Sequence, residues 1–331
     1  MIEQVEKFHK SWRTNEPVRI TQLPPSASPR KYFRVYVSDG TTYITAWNSN
    51  VEENEAFISF AKHFRSQNLP VPEIYRVHAE KHFYALEDLG DTQLFHIIKE
   101  DGFTEKTISL LEKSLDKLFE IQTRGIENLD LSVAFPRAEF DETSIMWDLN
   151  YFKYYFLKLS EIDFNEQRLE NDFIKFTQTL LQPERKYFLY RDFQTRNIMI
   201  VNGEPYFIDF QGGRKGALHY DVASLLYDAN ADIPQEIREK LLSHYLEILS
   251  SRYPQEAEEF HKYFNHFVLV RMLQALGAFG FRGLVQRKQL FIEAIPPAIA
   301  NLQKLLEEKL PLENCPELRN ALLNLKNYSV R

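Results

Sequence analysis

The chain has 331 residues, 44% of them hydrophobic and 14% aromatic, which suffices for one or two packed domains and excludes a disordered chain. A formal charge of −7 gives no basis for a nucleic-acid or anionic-membrane partner, although local cations can still hold phosphate on an acidic protein. The lone cysteine, Cys315, excludes an internal disulfide and fits a reducing compartment; with no apolar signal-peptide centre near the start, the expected location is the cytoplasm.

Residues 1–14 have the mixture of charge and short apolar runs of an amphipathic helix. Three β-leaning runs follow, at 18–21, 32–36 and 42–47, the last two joined by Asp39-Gly40, a hairpin signal. The loop between the first two, Pro24 to Lys31, contains no glycine. Residues 53–67 place Phe57, Phe60, Ala61 and Phe64 on one helical face, the spacing of a core helix. Pro70-Val71-Pro72 ends it, and two more strands are expected at 74–77 and 83–87. From Thr92 the period becomes helical, with Ile108, Leu111, Leu115 and Leu118 on one stripe. The stretch 145–159 is rich in aromatics. Most of these belong to a core, but Trp147, Asp148 and Tyr151 also offer the ring and carboxylate on which a sugar can sit.

The most informative stretch is 188–221. A short apolar run breaks onto Arg191-Asp192, Asn197 follows five positions later, and Ile198-Met199-Ile200 reads as a strand. Asn202-Gly203 reverses the chain, and Tyr206-Phe207-Ile208 delivers Asp209. Two strands and a tight turn would bring two carboxylates and an amide oxygen to one small volume. Phosphoryl transfer needs such a set: hard oxygen ligands for Mg²⁺, and a separate carboxylate to take the proton of the attacking hydroxyl. Asp209 and Asn197 are read as the metal ligands and Asp192 as the base. The bland alternative is that both acids only cap turns. Asp221, ahead of Val222-Ala223-Ser224-Leu225-Leu226, reads as a structural helix N-cap. In the later helix near 260–281, Arg271 needs a partner on an apolar face, either a structural acid or a substrate carboxylate. The longest apolar run there, 267–281, is too short and polar for a membrane span.

The spacing matches the kinase pattern H-R-D-x-x-x-x-N followed by D-F-G, here Tyr190-Arg191-Asp192, Asn197 and Asp209-Phe210-Gln211. With Ile208-Asp209-Phe210 and Tyr220-Asp221 it resembles the aminoglycoside phosphotransferase and choline kinase family. Within that family, Leu86 to Asp91, Gln211 and Leu273-Gln274-Ala275-Leu276-Gly277 are similar to bacterial kinases that phosphorylate the anomeric hydroxyl of N-acetylmuramate and N-acetylglucosamine. The resemblance implies an α+β, bilobal protein-kinase-like fold, with a small antiparallel-sheet nucleotide lobe at 1–90 and a larger helical catalytic and acceptor-binding lobe at 91–331. It implies ATP and Mg²⁺ as cofactors and a small-molecule acceptor, with an amino sugar favoured over an aminoglycoside, choline or related amine. The loop 24–31 would cover the phosphates through Ser26, Ser28, Arg30 or Lys31, and the hinge at Glu87 and Leu89 would meet adenine through its backbone. Asp221 would brace the catalytic loop. The third strand lacks the usual phosphate-gripping lysine, so Arg30, Lys31 or Arg34 must replace it or the chain is a non-catalytic nucleotide sensor. Only eleven positions separate Asp209 from Tyr220, too few for a protein-kinase activation loop.

Overall fold

The computed structural model describes residues 1–24 and 29–328, so Ser26 and Ser28 lie outside the described residues. The chain forms two compact units, Met1–Ala138 with Arg196–Arg214, and Glu139–Thr195 with Lys215–Arg331.

The first unit opens with α1 (Ile2–Lys10), β1 (Pro17–Gln22), β2 (Lys31–Val37), β3 (Thr42–Trp47), α2 (Val51–Ser66), β4 (Ile74–Val77) and β5 (Phe83–Glu87). The five strands form an antiparallel sheet in the order β1-β2-β3-β5-β4. The cause is legible in β2, where Phe33, Val35 and Val37 alternate with more exposed residues and pack with Val5 and Phe8 of α1. The Asn50 side chain caps α2 by accepting the Glu53 amide, and the helix buries Phe57, Phe60, Ala61 and Phe64. Two helices, α3 (Leu94–Asp101) and α4 (Glu105–Thr123), complete this part.

The second unit begins with α5 (Glu142–Phe152), α6 (Glu166–Leu180) and the short β6 (Tyr187–Leu189). The chain then rejoins the first unit as the hairpin β7 (Ile198–Val201) and β8 (Glu204–Phe207). Asn202 (φ 52°) and Gly203 (φ 79°) supply the two positive φ angles that a two-residue hairpin turn requires. The hairpin is tied to its unit by Ile200 N–H to the Thr92 carbonyl and Phe207 N–H to the Pro70 carbonyl, both 2.8 Å.

The remainder of the second unit is α7 (His219–Leu226), α8 (Gln235–Arg252), α9 (Pro254–Phe279), α10 (Gln289–Glu293), α11 (Ile295–Glu308) and α12 (Pro316–Asn324). Helix α9 is its centre and packs against α5, α7, α8 and α11. A Cβ at Gly280, just past α9, would lie 2.0 Å from the Tyr155 carbonyl oxygen, so only glycine permits this approach. Helix α5 ends at Phe152, and the aromatic-rich stretch continues as a wider π turn, Lys153–Leu157, in which the buried Lys153 ammonium pairs with Glu166 and Glu170. By length and composition alone Pro254–Val285 reaches what a membrane span requires, against expectation, because the helix starts well before the apolar run. Its most apolar window is 61% buried, the environment of a core helix.

Candidate active site

In the second unit, β6 runs straight into the loop bearing Asp192, which is half-buried. Three other acids hold that loop. Asp221 accepts the backbone N–H groups of Tyr190 (2.8 Å) and Arg191 (3.0 Å). Asp228 accepts both the amide (3.1 Å) and the hydroxyl (2.7 Å) of Thr195. Asp148 of α5 takes the Arg191 guanidinium in a two-pronged pair at 2.6 and 2.5 Å, with the side chains only 14% and 8% exposed. Arg191 has φ +85°, a backbone setting a non-glycine residue adopts only when its surroundings impose it, at about 1–3 kcal/mol. Burial works against the Arg191 charge, but Asp148, with Tyr220 and Asp192, more than offsets it, and the guanidinium's pKa is raised. Asp221 is not the helix cap expected, since α7 starts at His219; its fully buried carboxylate holds the loop that carries Asp192.

In the first unit, the hairpin presents Asn197 just before β7 and Asp209 just after β8. The Ile208 amide donates to the Asn197 carbonyl (3.0 Å), and the Asn197 carboxamide lies 3.5 Å from Asp209 Oδ2. Gln211 donates from Nε2 to Asp209 Oδ1 at 2.7 Å, while its own carbonyl oxygen is buried with no hydrogen-bond partner among the described residues. Asp209 also has positive φ, +70°, and the next residue anchors it: the Phe210 ring stacks on Phe57 of α2 at 4.6 Å. A carboxylate beside a carboxamide is a donor set suited to a hard divalent cation. Among the described residues no group of three His, Cys, Asp or Glu side chains could hold a metal, so phosphate and water oxygens would have to complete the shell.

The three cations considered for the missing lysine separate clearly. Arg34 is committed to Asp88 (2.7 Å), Asp91 (2.8 Å) and the Gly90 carbonyl (3.1 Å), which fixes the segment after β5. Lys31 is exposed, its ammonium 5.4 Å from the Trp47 ring centre. Arg30 is buried and pairs with Glu53 of α2 at 3.2 Å. Burial opposes its charge, and Tyr84, Tyr32 and Glu53 together raise its pKa. Glu87 ends β5, where it accepts the Glu73 amide (3.1 Å) and meets Arg65 (3.6 Å); Leu89 is buried beside it in sequence.

Of the acceptor candidates, Trp147 is exposed, and Tyr151 lies edge-on to Tyr155 and tilted against Phe281. Asp148 is the partner of Arg191. Arg271, buried on α9, donates to Ser224 Oγ (3.0 Å) and Gln274 Oε1 (2.7 Å), neither of them an acid. Sequence reasoning missed the Asp148–Arg191 and Asp228–Thr195 pairs, whose partners lie far apart in the chain with no local pattern to mark them.

Solved structures share this fold. An amicoumacin kinase in complex with AMP-PNP, Ca²⁺ and Ami has a TM-score of 0.64 over 93% of both chains at 14% identity. Choline kinase from Cryptosporidium parvum gives 0.64 over 98% of this chain and 100% of that one, at 13%. The model of the phosphotransferase enzyme family matches residues 19–260, and the chain belongs to that family. It is a small-molecule kinase with an alcohol group as acceptor. A relative from Neisseria meningitidis, N-acetylmuramate/N-acetylglucosamine kinase, is 28% identical over 82% of this chain and 81% of its own.

Proposed function

We propose that this kinase uses ATP and Mg²⁺, in the cytoplasm, to phosphorylate the anomeric hydroxyl of an N-acetyl amino sugar. The observation that carries the acceptor is the Neisseria relative, whose likeness spans most of both chains and whose name specifies N-acetylmuramate and N-acetylglucosamine. Asp192 orients the sugar hydroxyl and takes its proton as the oxygen bonds to the γ-phosphorus and the bond to ADP breaks. Asn197 and Asp209 would hold Mg²⁺, which when bound neutralises charge on the β- and γ-phosphates. Arg30, backed by Glu53, takes over from the absent lysine in gripping the phosphates, with Lys31 next to it in the chain. Backbone groups at Glu87 and Leu89 receive the adenine edge, so the nucleotide lobe runs to about residue 90 and the acceptor lobe follows. Trp147 and Tyr151 receive the sugar, and Arg271 meets the carboxylate that only the muramate form carries.

The test is ADP release with Mg-ATP across N-acetylmuramate, N-acetylglucosamine, their 1-O-methyl glycosides, choline and an aminoglycoside. Turnover is expected with the two free sugars alone, and Asp192→Ala or Asp209→Ala should abolish it. Turnover with a methyl glycoside moves the reaction to another hydroxyl. Turnover with choline or the aminoglycoside but no sugar overturns the acceptor, and ATP affinity without any turnover replaces the enzyme by a nucleotide sensor.

A further inference from the structure

Asp148 stands among the acceptor candidates by sequence, but its carboxylate is already engaged. Both oxygens are taken by Arg191, at 2.5 and 2.6 Å, and the pair lies nearly out of water. Arg191 also sits over two buried rings, 5.5 Å from the Phe140 centre and 5.1 Å from that of Tyr220. Its covalent neighbour is Asp192. A buried two-pronged arginine–carboxylate pair fixes both the position and the plane of the guanidinium. Here that constraint falls on a residue whose backbone is held at φ +85°. Asp221 clamps the backbone of the same residue. The loop is therefore fixed from two sides, one grip on its main chain and one on a side chain.

Regulated protein kinases order an arginine-bearing segment by adding a phosphate that pairs with the arginine. This chain has ten residues between Asp209 and Tyr220 and no room for such a segment. We propose that Asp148 is a permanent internal counterpart of that phosphate, a positioning residue that aims Asp192 through Arg191 and leaves the catalytic loop assembled without modification. The inference rests on the reading of Asp192 as the base. It removes Asp148 from the acceptor contacts and leaves Trp147 and Tyr151 there. The burial and geometry of the pair also explain why α5 carries a charged residue on its buried face.

Asp148→Asn keeps the shape and removes the charge. Its kcat is expected to fall about 10- to 100-fold, the size of effect that an ångström-scale misplacement of a catalytic group produces, with the KM values for acceptor and ATP within about twofold of wild type. Asp148→Glu should recover part of the loss. A rise in acceptor KM at unchanged kcat would make Asp148 an acceptor contact and overturn the proposal, as would wild-type kinetics. Should Asp148→Asn fail to fold, the double variant Asp148→Leu, Arg191→Met removes the pair without stranding a charge. Wild-type kcat in that protein also overturns the proposal. Asp192→Asn run alongside separates the two ideas: if it stays active the base assignment fails, whereas an inactive Asp192→Asn with an unaffected Asp148→Asn sinks only the present inference. Hydrogen exchange at the Tyr190 and Arg191 amides gives a readout independent of turnover. It should quicken at least about tenfold in Asp148→Asn as the loop opens locally, and unchanged protection counts against the proposal.

Discussion

Arg30 and Arg34 lie four positions apart in the sequence and are engaged in different work. Three interactions with Asp88, Asp91 and Gly90 bind Arg34 to the segment after β5. Arg30 turns to Glu53, which also accepts from the Asn48 carboxamide at 2.9 Å. The Arg30 guanidinium also lies 5.9 Å from the centre of the Phe57 ring, the ring that stacks on Phe210 next to Asp209. A phosphate-gripping role for Arg30 therefore predicts a nucleotide effect that Arg34 does not share. Arg30→Ala should raise the KM for ATP by about 10- to 100-fold, the equivalent of one or two charged hydrogen bonds at about 1.5–3 kcal/mol in all. Arg30→Lys should recover much of it, and Arg34→Ala should lower the melting temperature more than it changes the KM. Steady-state kinetics and thermal melts on the three variants decide the matter. Equal KM effects from Arg30→Ala and Arg34→Ala would refute the separation.

At the scale of elements, α7 and α9 meet through His219. Its ring is stacked between Phe260 (4.1 Å) and Phe267 (4.9 Å) of α9, and neither nitrogen makes a hydrogen bond of normal geometry. Burial pushes the imidazole down to about 3, with the Phe260 backbone pulling weakly the other way. The unfolded chain takes up this proton below about pH 6.5, and the folded protein does not until near 3. The stabilisation is thus complete above about pH 6.5 and is lost progressively as pH falls toward 3, by about 2 kcal/mol at pH 5. His219→Phe keeps the stack and removes the titration. Its melting temperature should drop less than that of wild type between pH 7.5 and pH 5, and parallel drops would show the ring is accessible to protons in the folded state. Such helix-to-helix contacts lie beyond sequence periodicity, which tells which face is buried but not what covers it. The strands from 31 to 47, the α2 stripe and the Asn202-Gly203 hairpin were legible because each is set by neighbours within a few residues. The start of α7 was misread because Asp221 has the local look of a cap, whereas its partners, Tyr190 and Arg191, lie some thirty residues upstream.

For the whole molecule, local spacing and the division of the chain differ in how far they can be read from the sequence. The offsets of Asp192, Asn197 and Asp209 stand out in the linear text, but the return of Arg196–Arg214 to the first unit depends on backbone bonds to Pro70 and Thr92, over a hundred residues away. The two roles proposed for these residues can be separated without an assay of turnover. A nucleotide that binds only the folded chain raises its stability by mass action, about 2.7 kcal/mol at 100 times Kd. If Asn197 and Asp209 hold the cation that accompanies the phosphates, the melting temperature should rise further with ATP and Mg²⁺ than with ATP alone. Asp209→Asn, which replaces an anionic ligand by a neutral one, should lose that extra increment. Asp192→Asn should keep it in full, because the base acts on the acceptor hydroxyl and not on the nucleotide. An increment that survives Asp209→Asn would move the metal site elsewhere, and one that disappears in Asp192→Asn would make Asp192 a ligand in place of a base.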